Sequence, residues 1–213
     1  MNQEERILKG VMYSPGDSEL RALKLKSHLM SQRFSALRED QKEERETILR
    51  KLFAAFGQSS FIQGPLFVHY GIHTRIGRNF FGNYNLTIQD DAEVTIGDRV
   101  NFGPNVSIVT PVHPLVAEER WMVLDPEGNE AHMCYAKPVI IGDDVWIGAN
   151  VTVCGGVRIG RGCVIGAGSV VTHDMPENSL CYGVPCKAVR AITREKDSMR
   201  NYPGIMDGCQ VKE

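Results

Sequence analysis

The chain lacks several things, and each absence removes a class of function. There is no excess charge of one sign: 24 Lys and Arg against 26 Asp and Glu leave a formal charge of −2 over 213 residues. Without a basic surplus there is no counterion-release affinity for a polynucleotide, so nucleic acid is not an expected partner. No apolar run approaches the ~20 residues that span a bilayer, and the opening MNQEERILKG has no apolar signal core. A cytoplasmic protein without membrane contact is the expectation. The cysteines (Cys134, Cys154, Cys163, Cys181, Cys186, Cys209) form no CxxC pair and sit among Val and Gly, which favours reduced structural thiols over a metal clip or a disulfide framework.

What is present is a lead of helices and then a repeat. Residues 18–34 carry an uneven helical stripe of Leu20, Leu23, Leu25, Leu29, Met30 and Phe34. Residues 39–56 place Ile48, Leu49, Leu52, Phe53 and Phe56 on one face, with Gly57 as a stop. Too short to be stable alone, these helices must dock on the remainder of the chain. From Ile141 the chain reads IGDDVW, IGANVT, VCGGVR, IGRGCV, IGAGSV, VTHDMP without a gap. The first position is always Ile or Val (Ile141, Ile147, Val153, Ile159, Ile165, Val171), and Gly142, Gly148, Gly160 and Gly166 recur at the second. An earlier array of the same form runs over 70–113 with a two-residue slip at Val94-Thr95. Residues 114–137 break the period and contain the turn-forming Asp125-Pro126-Glu127-Gly128, an excursion from one continuous solenoid.

A period of six means a short straight segment and a corner, repeated, with the first-position aliphatic pointing inward. Three segments per coil give a triangular prism whose second-position glycines are expected to supply backbone freedom at the corners. The expected class is mainly β, a parallel β-helix of hexapeptide repeats. A helical cap occupies 1–57, the solenoid 58–192 with its inserted loop 114–137, and a polar tail 193–213.

These repeats resemble the hexapeptide-repeat acyltransferases. The segments NFFGNYNLTIQDD (79–91), IGDRVNFGPNVSI (96–108), HPL (113–115), YAKPVIIGDDVWIGANV (135–151), VIGAGSVVTHDMP (164–176) and GVPCKAVR (183–190) are similar to the maltose/galactoside O-acetyltransferase branch. The resemblance implies left-handed coiling, an exception to the usual crossover rule, and a homotrimer with active sites between subunits. It implies acetyl-CoA as acyl donor and an acceptor hydroxyl on a sugar or related small molecule. His113 would be the general base, its near-neutral imidazole suited to taking and returning a proton. Asn83 would polarise the developing oxyanion as a neutral donor, with Asn85 the better candidate for an asparagine ladder or corner.

By the same resemblance Asp91 would accept hydrogen bonds from acceptor hydroxyls, Asp90 filling a solvated corner. Asp17 is read either as an acceptor carboxylate or as a helix N-cap. Ala149, Ala167, Thr172 and His173 would lie along the pantetheine arm, Lys187 and Arg190 at the nucleotide phosphates, and Trp146 at the thioester end or as a wedge between coils. His69 stands where sugar acetyltransferases tend to carry Ser, and His173 where Lys or Arg is usual. Trp121, Met122 and Met133 of the long loop could line a more apolar acceptor site. The alternatives are an antibiotic O-acetyltransferase using the same His113, a zinc-dependent γ-carbonic anhydrase drawing on His69 and His73, and a non-catalytic trimeric scaffold. With no Cys or Ser nucleophile beside the base, direct transfer is expected.

Overall fold

A computed structural model describes residues 1–120, 123–124, 128, 130–202, 204–206 and 209. Three helices lead: α1 (Gln3–Leu8), α2 (Ser18–Ala36) and α3 (Lys42–Leu52). The short α1, unexpected from periodicity, is closed by a capping box in which Asn2 and Glu5 each bond the other's backbone N–H. In α2 the buried stripe is Leu20, Ser27, Ser31 and Phe34, while Leu25 and Leu29 face out at 59% and 56% exposure. The expected leucine stripe is thus half wrong. Serines replace it because small side chains let the helix lie close on the solenoid, where the Ser27 hydroxyl donates to the Val68 carbonyl at 3.1 Å.

Ile48, Leu49 and Leu52 of α3 are buried as expected, as are Phe53 and Phe56 just beyond its end. Gly57 is not the stop. A Cβ there would lie 2.2 Å from the Gly77 carbonyl oxygen, so it is the first of the close-stacked corner glycines. Arg45 of α3 is buried over the Phe34 ring and donates to the carbonyls of Leu37, Ile62 and Gln63, each at 2.8 Å. That guanidinium ties the helical layer to the first coil.

The first coil is β1 (Ala55–Phe56), β2 (Phe61–Ile62) and β3 (Leu66–Val68); the second is β4 (Thr74–Ile76), β5 (Phe81–Gly82) and β6 (Leu86–Gln89). The third is β7 (Val94–Ile96), β8 (Asn101–Phe102) and β9 (Ser107–Val109). The excursion carries β10 (Pro111–Val112), α4 (Ala117–Arg120), β11 (Val123–Leu124), β12 (Glu130–Ala131) and β13 (Tyr135–Ala136). The next two coils are β14 (Val139–Ile141), β15 (Trp146–Ile147) and β16 (Thr152–Cys154), and β17 (Arg158–Ile159), β18 (Val164–Ile165) and β19 (Val170–Val171). A hairpin of β20 (Ser179–Gly183) and β21 (Cys186–Ala191) extends the second face.

Equivalent strands stack into three parallel faces: β1-β4-β7-β14-β17, then β2-β5-β8-β15-β18-β20, then β3-β6-β9-β16-β19. The result is a parallel β-solenoid. Its six first-position aliphatics from Ile141 to Val171 are at most 1% exposed, in one core that also contains α3. Val139 pairs with Val94 directly, so the excursion leaves the solenoid and rejoins it in register. Its expected turn residues 125–127 lie outside the described residues. No helix among the described residues is long and apolar enough to cross a membrane.

The corner glycines differ from expectation. Those at the second position do not take left-handed φ; they are required by size, since a Cβ on Gly148 would lie 2.7 Å from the Ala167 nitrogen in the next coil. Left-handed φ belongs to the fourth position: Asn79, Asn85, Arg99, Asn105, Asp144, Asn150, Gly156, Gly162 and Gly168. Asparagine tolerates that region because its short amide bonds locally. On the edge between the second and third faces these amides form the expected ladder, Asn85 to Asn105 to Asn150, at 2.9 Å per step.

The two roles separate in a stability measurement. Gly148→Ala should cost about 1–3 kcal/mol in urea denaturation through overpacking. Gly168→Asn, at an open left-handed corner, should stay within about 0.5 kcal/mol of the parent. Equal losses at both would contradict the assignment.

Candidate active site on two edges of the solenoid

The edge between the third and first faces is widened in the second coil, and this is the physical content of the two-residue slip. Asp90 and Asp91 fill the extra length. Asp90 is no solvated corner: it is fully buried and accepts from the Tyr70 N–H and the Thr74 hydroxyl, both at 2.8 Å. Burial pushes its carboxyl above the ordinary range despite those bonds. Asp90 therefore staples two coils together. The expectation fails here because the widened edge turns this carboxylate inward over the backbone of the preceding corner.

Asp91, 2% exposed, accepts from the Tyr13 hydroxyl at 2.5 Å through Oδ1 and from His69 Nδ1 at 2.7 Å through Oδ2. Burial alone would raise its pKa, but these bonds hold the carboxyl below its usual value. Tyr13 arrives from the N-terminal segment, which pairs with the excursion: Tyr13 N–H donates to the Cys134 carbonyl at 2.8 Å and Cys134 N–H returns a bond at 3.1 Å. Burial, reinforced by the nearby Asp91, pushes the phenols of Tyr13 and Tyr70 upward, so Tyr13 stays a donor. Burial likewise pushes the Cys134 thiol up to about 11.

The His69 ring stacks on that of His28 at 5.9 Å. Both line a cavity of about 350 Å³ between α2 and the third face. His73 Nδ1 meets the Asp90 carbonyl at 2.7 Å, and among the described residues no three His, Cys, Asp or Glu side chains are grouped to hold a metal ion. His113 is exposed and comes directly after β10, whose pairing with β13 forms the base of the excursion. Thr110 anchors this base, donating to the Gln89 carbonyl at 2.8 Å and accepting from the Ala92 N–H at 2.9 Å.

Other residues lie on the edge between the second and third faces. Asn83 occupies a second position, where the next coils carry Gly103, Gly148 and Gly166. Its Oδ1 accepts from the Tyr84 N–H at 2.8 Å, which leaves the Nδ2 donor for an outside group. Ala149 and Ala167 stack above it at the same edge. Trp146, 56% exposed on β15, heads a column through Val164 and Leu180 to Arg190 on the second face. Lys187 is exposed on the same terminal hairpin, whereas Thr172 and His173 sit on the His69 edge, bonded to each other at 2.8 Å. Arg190 is held in two bonds by Asp197, at 2.6 and 2.9 Å, and in turn pulls that carboxyl down to about 2. A phosphate at Arg190 would have to compete with Asp197.

Asp17 is an N-cap, accepting from the N–H groups of Glu19 and Leu20. Met133 is buried, and Trp121 and Met122 lie outside the described residues. Within one chain the two edges stand apart: β6, 4 residues long, lies between Asn83 and Asp91 and spans about 13 Å at the usual strand rise. Tyr13, His28 and Ser31 escape sequence reading, and Asp90 is misplaced by it at a solvated corner. Only Asp90 leaves a signal, the slip that marks the widened edge.

Comparison with known proteins gives the same outline. Residues 138–173 match the bacterial transferase hexapeptide (six repeats), and residues 6–57 match the maltose acetyltransferase hexapeptide capping motif. The chain is 38% identical over 90% of its length to a galactoside O-acetyltransferase of Escherichia coli, of which it also covers 90%. The chain belongs to the galactoside/maltose O-acetyltransferase branch of the hexapeptide-repeat family. Among solved structures it resembles a galactoside acetyltransferase in complex with coenzyme A, with TM-score 0.84 and 35% identity over the whole of both chains. It also resembles a hexapeptide-repeat acetyltransferase of Vibrio cholerae complexed with acetyl-CoA, with TM-score 0.79 and 33% identity over 91% of this chain and all of that one. In this member of the branch the capping helices are fastened by Arg45, and the N-terminal segment by Tyr13.

Tyr13→Phe should cost about 1–3 kcal/mol at pH 7, because a buried carboxylate loses a donor. The Asp91 carboxyl is depressed in the folded state, so its contribution is present above the unfolded pKa near 4 and fades as pH falls through the folded value. Denaturation curves of the two proteins should therefore converge in acid. A gap that persists unchanged at low pH would contradict the assignment.

Proposed function

We propose that this chain works in the cytoplasm as an acetyl-CoA-dependent O-acetyltransferase, moving an acetyl group directly to a hydroxyl of a sugar or related small molecule. The observation that carries the mechanism is His113, exposed at the base of the excursion on the same edge as the His69–Asp91 pair. An imidazole nitrogen of His113 takes the acceptor O–H proton as that oxygen attacks the acetyl carbonyl carbon. The carbonyl oxygen gains charge in the tetrahedral intermediate and is met by Asn83 Nδ2–H. Collapse breaks the carbon–sulfur bond, the ester is released, and the coenzyme A thiolate takes the proton back from His113.

Asn83, Ala149 and Ala167 occupy one edge of the prism; His113, Thr172 and His173 belong to another. A homotrimer reconciles them, since a closed ring of three copies sets one edge of each chain against a different edge of its neighbour. The coenzyme then lies in the groove between copies, its pantetheine arm against the small side chains of Ala149 and Ala167. Lys187 stands toward the nucleotide phosphates, and Trp146 walls the thioester end.

His113→Ala should lower kcat by about 10²–10⁴ while leaving coenzyme A affinity within about twofold. Thiol release from acetyl-CoA across a panel of sugars, glycosides and hydroxylated antibiotics checks this and begins to name the acceptor. Wild-type turnover in the variant would remove His113 as the base. Intact-mass measurement after incubation with acetyl-CoA alone should find no acetylated protein; an acetyl-enzyme would replace direct transfer by a covalent route.

A further inference from the structure

The excursion that presents His113 leaves the solenoid just after Thr110, and the same residue holds the widened edge. We infer that Thr110 is a positioning residue for acetyl transfer: its hydroxyl locks the turn carrying Asp91 to the strand that leads to His113, and so sets the base in register with the acceptor. This rests on the reading of the chain as an O-acetyltransferase with His113 as its base.

Thr110 is fully buried, and its hydroxyl makes two bonds to one turn. It donates to the Gln89 carbonyl at 2.8 Å and accepts from the Ala92 N–H at 2.9 Å, and these two residues flank Asp90 and Asp91. The hydroxyl therefore closes like a clasp over the two-residue widening. From the other side Asp90 ties the turn to the preceding corner, accepting from the Tyr70 N–H and the Thr74 hydroxyl. Gripped from both sides, the turn keeps Asp91 in one place.

The backbone of Thr110 fixes where the excursion starts and stops. Gln89 pairs with Val109 and Val109 with Cys154, so Asp90, Thr110 and Gly155 follow one another in a single column of the stack. A Cβ on Gly155 would lie 2.5 Å from the Thr110 carbonyl oxygen; with glycine there, that oxygen accepts from the Lys137 N–H at 3.1 Å. Entry and exit of the excursion are thus joined at Thr110. β10 begins at the next residue, pairs with β13 and ends immediately before His113. A shift of about 1 Å between base and acceptor is enough to slow a reaction about 10²-fold, so the clasp has kinetic consequences.

Thr110→Val, close in shape but without the hydroxyl, tests this in the full-length protein with acetyl-CoA and, as acceptors, methyl galactoside and maltose. Turnover per coenzyme-binding site should fall about 10- to 100-fold, with coenzyme A affinity within about twofold of the parent. Hydrolysis of acetyl-CoA without acceptor needs His113 but no alignment with the Asp91 turn, so the ratio of transfer to hydrolysis should drop about tenfold. Thr110→Ser, which restores the hydroxyl, should return both to within about threefold. Hydrogen exchange at the Ala92 N–H should quicken about tenfold in Thr110→Val and stay slow in Thr110→Ser.

Transfer and hydrolysis falling together would show a loss of competent sites, and a serine variant as slow as the valine one would give the role to the methyl group. Either result overturns the positioning role. Unchanged exchange at Ala92 overturns the clasp itself. If Thr110→Val does not fold, Thr110→Ala, where a water can enter the vacated space, decides by the same ratio. A parent protein that transfers acetyl to neither sugar, while Ala92 exchange still depends on the hydroxyl, keeps the clasp but removes the sugar acetyltransferase reading and the positioning role with it.

Discussion

Everything in this molecule depends on how closely one coil sits on the next. Parallel strands of 2–5 residues cannot hold a shape alone, so each must find its hydrogen bonds and its apolar cover in the coil above and below. The inward column of Ile and Val supplies the cover, and the second-position glycines permit the approach. A side chain at those corners would stand against the backbone of the neighbouring coil. Asn83, like Gln63 one coil earlier, is an amide on an edge that carries glycine in the later coils.

The same constraint explains where chemistry can be placed. The interior is filled and the faces are flat, so function belongs to the edges, where extra residues do not disturb the stack. One edge is narrow and carries the small side chains of Ala149 and Ala167 beside Asn83. Another is widened, and its surplus length is spent on Asp90, Asp91 and the excursion that presents His113. Tyr13 and Cys134 fasten the N-terminal segment to that excursion, so the cap and the loop brace one carboxylate between them. The helical layer thus serves the site as well as the core.

Much of this was legible in the sequence because a six-residue period survives in the letters. The inward positions from Ile141 to Val171 could be read off, as could the return of the solenoid after the excursion and the ladder role of Asn85. The helices were harder. A stripe of leucines suggested one face for α2, but helix and solenoid meet where Ser27 and Ser31 are small enough, and small polar residues carry no hydrophobic signal. The role of the glycines is hidden for a related reason: letters mark where glycine recurs, and only stacked coils show whether conformation or size demands it. At the site, resemblance pointed to His69, Asp91 and His113, whereas Tyr13 and His28 come from distant segments and leave no periodic trace.

In the proposed mechanism one chain supplies His113 and its neighbour supplies Asn83. Mixing separately inactive His113→Ala and Asn83→Ala chains, unfolding and reassembling them together, and assaying acetyl transfer tests it most directly. If each site draws on two copies, random reassembly restores about one intact site in four. If both residues act within one chain, every site in the mixture keeps a defect and activity stays at the level of the separate variants, which would contradict the account.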